Sequence, residues 1–216
     1  MRDLAIVGAG GFGRETVDVV RALNAIEPTW NLVGVADDAP SASNLDRLAP
    51  LEVRHLDGLA AIPKGVDVAI AVGSPAARVR IADALSSGNH AYPALIHPTA
   101  TIGSEFRHGQ GLIVLAGVSV GTNVTLGSHV HLNSHAVLGH DAHCHDFVSI
   151  NPNATLSGEC VVGSRTLLGA GSTVLQQLSI GDDVTVGASA CVTQSLPDAC
   201  TVVGVPARPL TKDPSA

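Results

Sequence analysis

Residues 118–141 read VSVGTNVTLGSHVHLNSHAVLGHD. An aliphatic side chain returns at every sixth position (Val120, Leu126, Leu132, Leu138), and a second, smaller inward-type residue stands four places after each (Val124, Val130, Ala136, Ala142). Extended both ways, the phase runs from Ile96 to Val192 without an insertion, and only His108 breaks the apolar series. A period of six fits neither the 3.6 residues of a helical turn nor a strand that alternates and ends in a hairpin. It reads as a solenoid: each hexad is a short strand plus a turn, and a core forms only when successive coils stack their aliphatic positions. Glycine follows the aliphatic residue at 103, 109, 121, 127, 139, 163, 169, 181 and 187, which predicts a backbone conformation there that few other residues tolerate.

On these hexads the chain resembles the hexapeptide-repeat family, whose members form a left-handed parallel β-helix with three hexads to a triangular coil. Upstream the pattern changes. Leu4-Ala5-Ile6-Val7 is a short apolar run that leads into Gly8-Ala9-Gly10-Gly11-Phe12-Gly13 and then a helical pattern to about Ala25. Glycines in a strand-turn-helix context let backbone amides approach a phosphate at a helix N-terminus. A second strand, about Leu32 to Ala36, ends in Asp37-Asp38, where carboxylates can meet ribose hydroxyls. A third, Val66 to Ala71, leads to Gly73-Ser74 and a helix carrying Arg78. This is an α/β half-Rossmann (βαβαβ) unit. It predicts two domains, residues 1–92 binding a nucleotide sugar and residues 93–216 forming the β-helix. About ninety residues supply one mononucleotide-binding half, which weighs against a full dinucleotide. Gly10, Gly11, Phe12, Asp37, Asp38, Gly73 and Arg78 are the candidate substrate-binding residues.

Composition sets outer bounds. The 216 residues are 45% hydrophobic but only 2% aromatic, which suits a narrow aliphatic prism. A net charge of −7 argues against nucleic acid as a partner. No leader and no long apolar run stand out, so a cytoplasmic protein with no membrane span is expected. Cys144 and Cys160 occupy inward registers and read as small hydrophobes rather than nucleophiles.

Six of the ten histidines lie between residues 129 and 145. With three hexads per coil, residues share an edge when they are eighteen apart, and no two of these histidines are, so no metal site is expected. His140 faces outward and is followed directly by a carboxylate, Asp141, in a coil turn. An imidazole there suits the removal of a proton from an attacking amine or hydroxyl. Gly158 stands one coil on, its N–H placed to receive a thioester carbonyl as it becomes an oxyanion.

The glycine loop, the Asp-Asp pair, the hexads and a terminal Val203-Gly204-Val205-Pro206-Ala207-Arg208 together resemble the sugar O- and N-acyltransferases of bacterial surface-glycan synthesis. These include the nucleotide-linked 4-amino-sugar N-acetyltransferases and the sialic acid O-acetyltransferases. The match is most specific over Asn133 to Asp141, followed by Asp146-Phe147. The resemblance implies that His140 is the general base, that Asp141 orients it and that Asn133 belongs to the same site. It places Ser149, Gly158, Ala170, Gln176 and Ala188 at the acetyl-CoA site. Ser149 stands where many relatives carry a second histidine, and Gln176 where small residues are usual. The expected activity is acetyl-CoA-dependent N-acetylation of a UDP-, GDP- or dTDP-linked 4-amino sugar by a homotrimer. A sugar O-acetyltransferase and a non-catalytic hexapeptide-repeat assembly module are the alternatives.

Overall fold

The computed structural model describes residues 1–210. The chain opens with β1 (Arg2–Val7), α1 (Gly11–Ile26), β2 (Trp30–Asp37), α2 (Ala42–Leu48), β3 (His55–Asp57), β4 (Asp67–Ile70) and α3 (Pro75–Leu85). The four strands pair in parallel in the order β3-β2-β1-β4. Leu4 to Val7 of the central strand are at most 2% exposed, as expected of a run covered on both faces. Helix α3 starts cleanly because Ser74 accepts the Ala77 N–H and Pro75 takes the first turn, where its missing N–H costs nothing. Strand β3 was not foreseen. Arg54-His55-Leu56-Asp57 lacks the β-branched alternation that marks a strand, and pairing with β2 at the sheet edge overrides that weak propensity.

From Leu95 onward the chain winds into three parallel sheets that form the faces of a triangular prism. The first face runs from Leu95–Ile96 through Ile113–Val114, His131–Leu132, Ser149–Ile150 and Leu167–Leu168 to Thr185–Val186. The second runs from Thr101–Ile102 to Cys191–Val192, and the third from Arg107–His108 to Ser179–Ile180. Strands in register are eighteen residues apart, as in His131 with Ser149 and Val137 with Thr155. Apart from His108, which is exposed, the inward positions of the hexads fill a continuous core in which Cys144 and Cys160 are fully buried. Burial pushes the Cys144 thiol up to about 12, which leaves it protonated and inert. At the last coil, Thr201–Val203 extends the first face and pairs antiparallel with Arg208–Pro209, which covers that edge.

The glycines after the aliphatic positions have a different cause from the one expected. None of the nine has a positive φ. What excludes a side chain is the next coil: a Cβ on Gly121 would sit 2.7 Å from the His140 nitrogen, and one on Gly139 2.4 Å from the Gly158 nitrogen. The left-handed conformation falls two residues later, at every sixth residue from Glu105 to Ser189. Glycine fills that place only at 111, 117 and 171. Elsewhere it is held by residues as varied as Asn123, Asp141, Phe147 and Arg165.

The two parts of the chain are cemented together. Leu95, Ile113 and Leu115 of the first face share one buried cluster with Leu4, Ile6, Val17 and Val20. Arg78 crosses the joint. It is fully buried, and its guanidinium donates to the carbonyls of Val72 (3.0 Å) and Gly73 (3.1 Å) on one side and of Phe147 (2.6 Å) and Val148 (3.2 Å) on the other. Burial pulls its pKa down to about 9. Arg78, expected to bind substrate, thus has both Nη atoms donating to backbone carbonyls and only Nε without an acceptor, and it acts as a strut.

Candidate active site

His140 and Asp141 form the turn between the second and third faces. Asp141 adopts φ +60°, so its carboxylate swings back along the edge, where Oδ2 lies 2.7 Å from His140 Nδ1. An ionised carboxylate can only accept, so Nδ1–H is the donor and the Nε2 lone pair is left free. Asp141 Oδ1 accepts from Asn123 Nδ2 at 2.6 Å, one coil earlier. That bond, and then the one from His140, hold the Asp141 carboxyl below the usual aspartate range. The His140 side chain is 58% exposed, so a substrate can reach it. Beneath the ring lies Gly158, where a Cβ would be 2.6 Å from Nε2 and 2.7 Å from Cε1. Gly158 is glycine because the imidazole occupies the space of its side chain.

The second candidate region is a cleft of about 370 Å³ lined by Gly8, Gly10, Gly11, Phe12, Asp37, Asn44 and Ala71 to Gly73. Gly8 has φ +112°, and a Cβ on Gly13 would overlap the Gly8 carbonyl, so both glycines are demanded by the turn itself. Gly10 and Gly11 have nothing within 4 Å of a built Cβ and open onto the cleft at the start of α1. Asp37 Oδ2 accepts the Ala9 N–H at 2.9 Å, fixing the loop. Asp38 stands apart from this cleft. Its Oδ1 accepts the Leu59 N–H at 2.8 Å, and it lines a separate hollow with Lys64 and His90.

The remaining predicted residues are distributed over two edges. Gly158 and Gln176 follow His140 at eighteen-residue steps along one edge. Asn133, Ala170 and Ala188 stand on the edge between the first and second faces, at the other end of the Val137–Leu138 strand. Within one chain, Asn133 is thus not beside His140: its Nδ2 donates to the Ile150 carbonyl (3.1 Å) and to Asn151 Oδ1 (3.4 Å). Ser149 is buried on the first face and donates to the Gly73 carbonyl at 3.3 Å, under the glycine-loop cleft instead of along the His140 edge.

Two histidines are structural. His131 is buried against Phe12, with ring centroids 4.4 Å apart, and His129 stacks on Phe147 at 5.1 Å. Burial, and then the Arg78 charge, depress both pKa values, that of His129 to about 4. His143 and His145 meet edge to face. Among the described residues, no three His, Cys, Asp or Glu side chains gather as a metal site, and no helix is long and apolar enough to cross a membrane. Sequence reasoning missed the Asn123 contact to Asp141, although their spacing of eighteen marks them as neighbours.

The PglD N-terminal domain family matches residues 3–85. A GDP-perosamine N-acetyltransferase of Escherichia coli O157:H7 is 28% identical over 218 residues, covering 98% of this chain and 97% of its own. A serine acetyltransferase of Helicobacter pylori is 33% identical over 126 residues, 55% of this chain, and the chain spans 61% of that protein's length. Among solved structures, the acetyltransferase domain of PglB from Neisseria gonorrhoeae, in complex with acetyl coenzyme A, superposes with a TM-score of 0.80 at 31% identity, over 97% of this chain and 99% of that one.

Proposed function

Because the chain belongs to the hexapeptide-repeat sugar acyltransferases of bacterial glycan synthesis, we propose that it transfers an acetyl group from acetyl-CoA to the amino group of a nucleotide-linked 4-amino sugar. The observation that carries this reading is the 2.7 Å His140–Asp141 pair, open to solvent above Gly158. Imidazole Nε2 takes the proton of the amine as its nitrogen attacks the thioester carbon. The Gly158 N–H, which meets no acceptor among the described residues, faces the oxygen that gains charge. Attack is direct, with no acyl group held on the enzyme; Cys144, the thiol nearest His140 in sequence, is buried and protonated. The intermediate collapses with loss of the coenzyme thiolate.

The glycine-loop cleft supplies the other half. Its open amides at the start of α1 suit a diphosphate, and Asp37 closes one wall. The serine acetyltransferase resemblance covers only about half of this chain, whereas the GDP-perosamine enzyme matches it from end to end, loop included. A GDP-linked 4-amino sugar is accordingly the first substrate to test.

The two separated edges support a homotrimer. Asn133, Ala170 and Ala188 line one cleft with His140 and Gly158 only if the first edge of one subunit faces the second edge of its neighbour. Light scattering is expected to give three chains, and a monomer at micromolar concentration would rule this arrangement out.

The test is release of free thiol from acetyl-CoA in the presence of GDP-perosamine. His140→Ala is expected to lower kcat by about 10²–10⁴ with smaller changes in KM. His143→Ala and Cys144→Ser are expected to retain turnover. Absence of thiol release with GDP-, UDP- and dTDP-linked 4-amino sugars alike would overturn the activity, and full turnover by His140→Ala would overturn the base.

A further inference from the structure

We propose that Asn123 is a positioning residue for the acetyl transfer: by gripping Asp141 Oδ1 it turns Oδ2 onto His140 and selects the imidazole tautomer whose Nε2 is free to accept a proton. The inference rests on the reading of His140 as base. Asn123 and Asp141 hold the same left-handed place in successive coils, with φ +59° and +60°, so their side chains project in parallel along the edge. The contacts of 2.6 Å (Asn123 Nδ2 to Asp141 Oδ1) and 2.7 Å (His140 Nδ1 to Asp141 Oδ2) leave each carboxylate oxygen one fixed donor. An amide is the right group for this place. It donates without adding charge, whereas a carboxylate would repel Asp141 and a lysine would compete with the imidazole for it.

The same column shows how the neighbouring charges are kept apart. Glu159, one coil after Asp141, accepts from Gln177 Nε2 at 3.2 Å, and Glu105, one coil before Asn123, is paired with Arg107 at 3.2 Å. Each acid of the column thus has its own donor, and Asp141 draws on Asn123 instead of sharing with Glu159. Hydrogen bonding by Asn123 is also the leading cause that holds Asp141 ionised.

Asn123→Gly removes the amide and keeps the backbone, because Gly111, Gly117 and Gly171 adopt positive φ at this very position of their hexads. Imidazole nitrogen NMR shifts, with His140 assigned from the signal lost in His140→Gln, are expected to move from the Nδ1–H tautomer toward Nε2–H. Transfer to GDP-perosamine is expected to fall about tenfold in kcat, with KM changing by less than about twofold. Asn123→Asp replaces the donor by a second carboxylate that repels Asp141, so kcat is expected to fall at least as far as in Asn123→Gly. The proposal is overturned if His140 keeps its Nδ1–H tautomer in Asn123→Gly. Should His140→Gln be fully active, the base assignment fails on its own, while the tautomer measurement, which needs no substrate, still decides the role of Asn123.

Discussion

Replacing Gly158 with alanine puts a methyl carbon 2.6 Å from His140 Nε2 and 2.7 Å from Cε1. Ordinary contact between such atoms is about 3.5–4.0 Å, so the ring has to retreat by about 1 Å. It can do so, because the side chain is 58% exposed, but only by giving up the 2.7 Å bond to Asp141. With His140 as the proposed base, a displacement of that size is expected to cost about 10²-fold in rate. Folding is expected to lose less than about 1 kcal/mol, since Gly158 does not use a positive φ and alanine restricts the unfolded chain. Gly139→Ala is the contrasting case. Its methyl would press on backbone atoms, the Gly158 nitrogen at 2.4 Å and the Ser157 carbonyl carbon at 2.7 Å, which have nowhere to go. Steady-state thiol release and thermal melting on the two variants are expected to separate them: an inactive folded protein from the first, a destabilised one from the second. If Gly158→Ala melts like the parent and keeps kcat within about threefold, the packing of His140 over Gly158 is not what sets its position.

Removing the strut between the two parts of the chain is the second perturbation. Arg78→Met leaves the Val72 and Phe147 carbonyls without a donor, while Gly73 keeps Ser149 Oγ and Val148 keeps the His131 N–H, and it is expected to cost about 3 kcal/mol, read as a lowered urea midpoint. Unchanged stability with weakened nucleotide-sugar binding would return Arg78 to the ligand. The third concerns acid. His129 and His131 have folded pKa values below the unfolded value of about 6.5, so the folded state binds fewer protons and their contribution is fully present above that pH. As pH falls from about 6.5 toward 4, stability is expected to drop by up to roughly 1.4 kcal/mol per unit for each imidazole, and equilibrium unfolding at a series of pH values checks it. A flat profile through that window would mean that both rings are solvated.

The β-helix was legible because its core is written locally: the two inward positions of each hexad are apolar or small almost without exception, and eighteen-residue register follows from stacking them. The His140–Asp141 pair was legible for the same reason, being adjacent in sequence. What failed needed distances across coils. The glycines of the hexads were ascribed to conformation when the neighbouring coil is what excludes their side chains, whereas the left-handed place, filled by residues as unlike as Phe147 and Arg165, carries no compositional mark. Arg78 and Asp38 looked like ligand contacts because they follow strand ends, and only the packed structure shows both Arg78 Nη atoms and Asp38 Oδ1 bonded to backbone. Asn133 and His140 are seven residues apart, close in sequence yet one edge apart in the prism.

That spacing gives the prism a reading frame. A change of one or two residues inside a strand moves the aliphatic side chains that follow off the core unless a turn absorbs it, as in the last coil, where Val186 pairs with Val202 at a step of sixteen and Val202 stays buried. Inserting six keeps the core but advances each later residue by one edge, so that Gly158 would no longer lie beneath His140. Only a change of eighteen restores both, lengthening the prism by about 4.8 Å, the spacing of neighbouring strands. Length variation in such a chain is therefore quantised twice, in sixes for folding and in eighteens for chemistry.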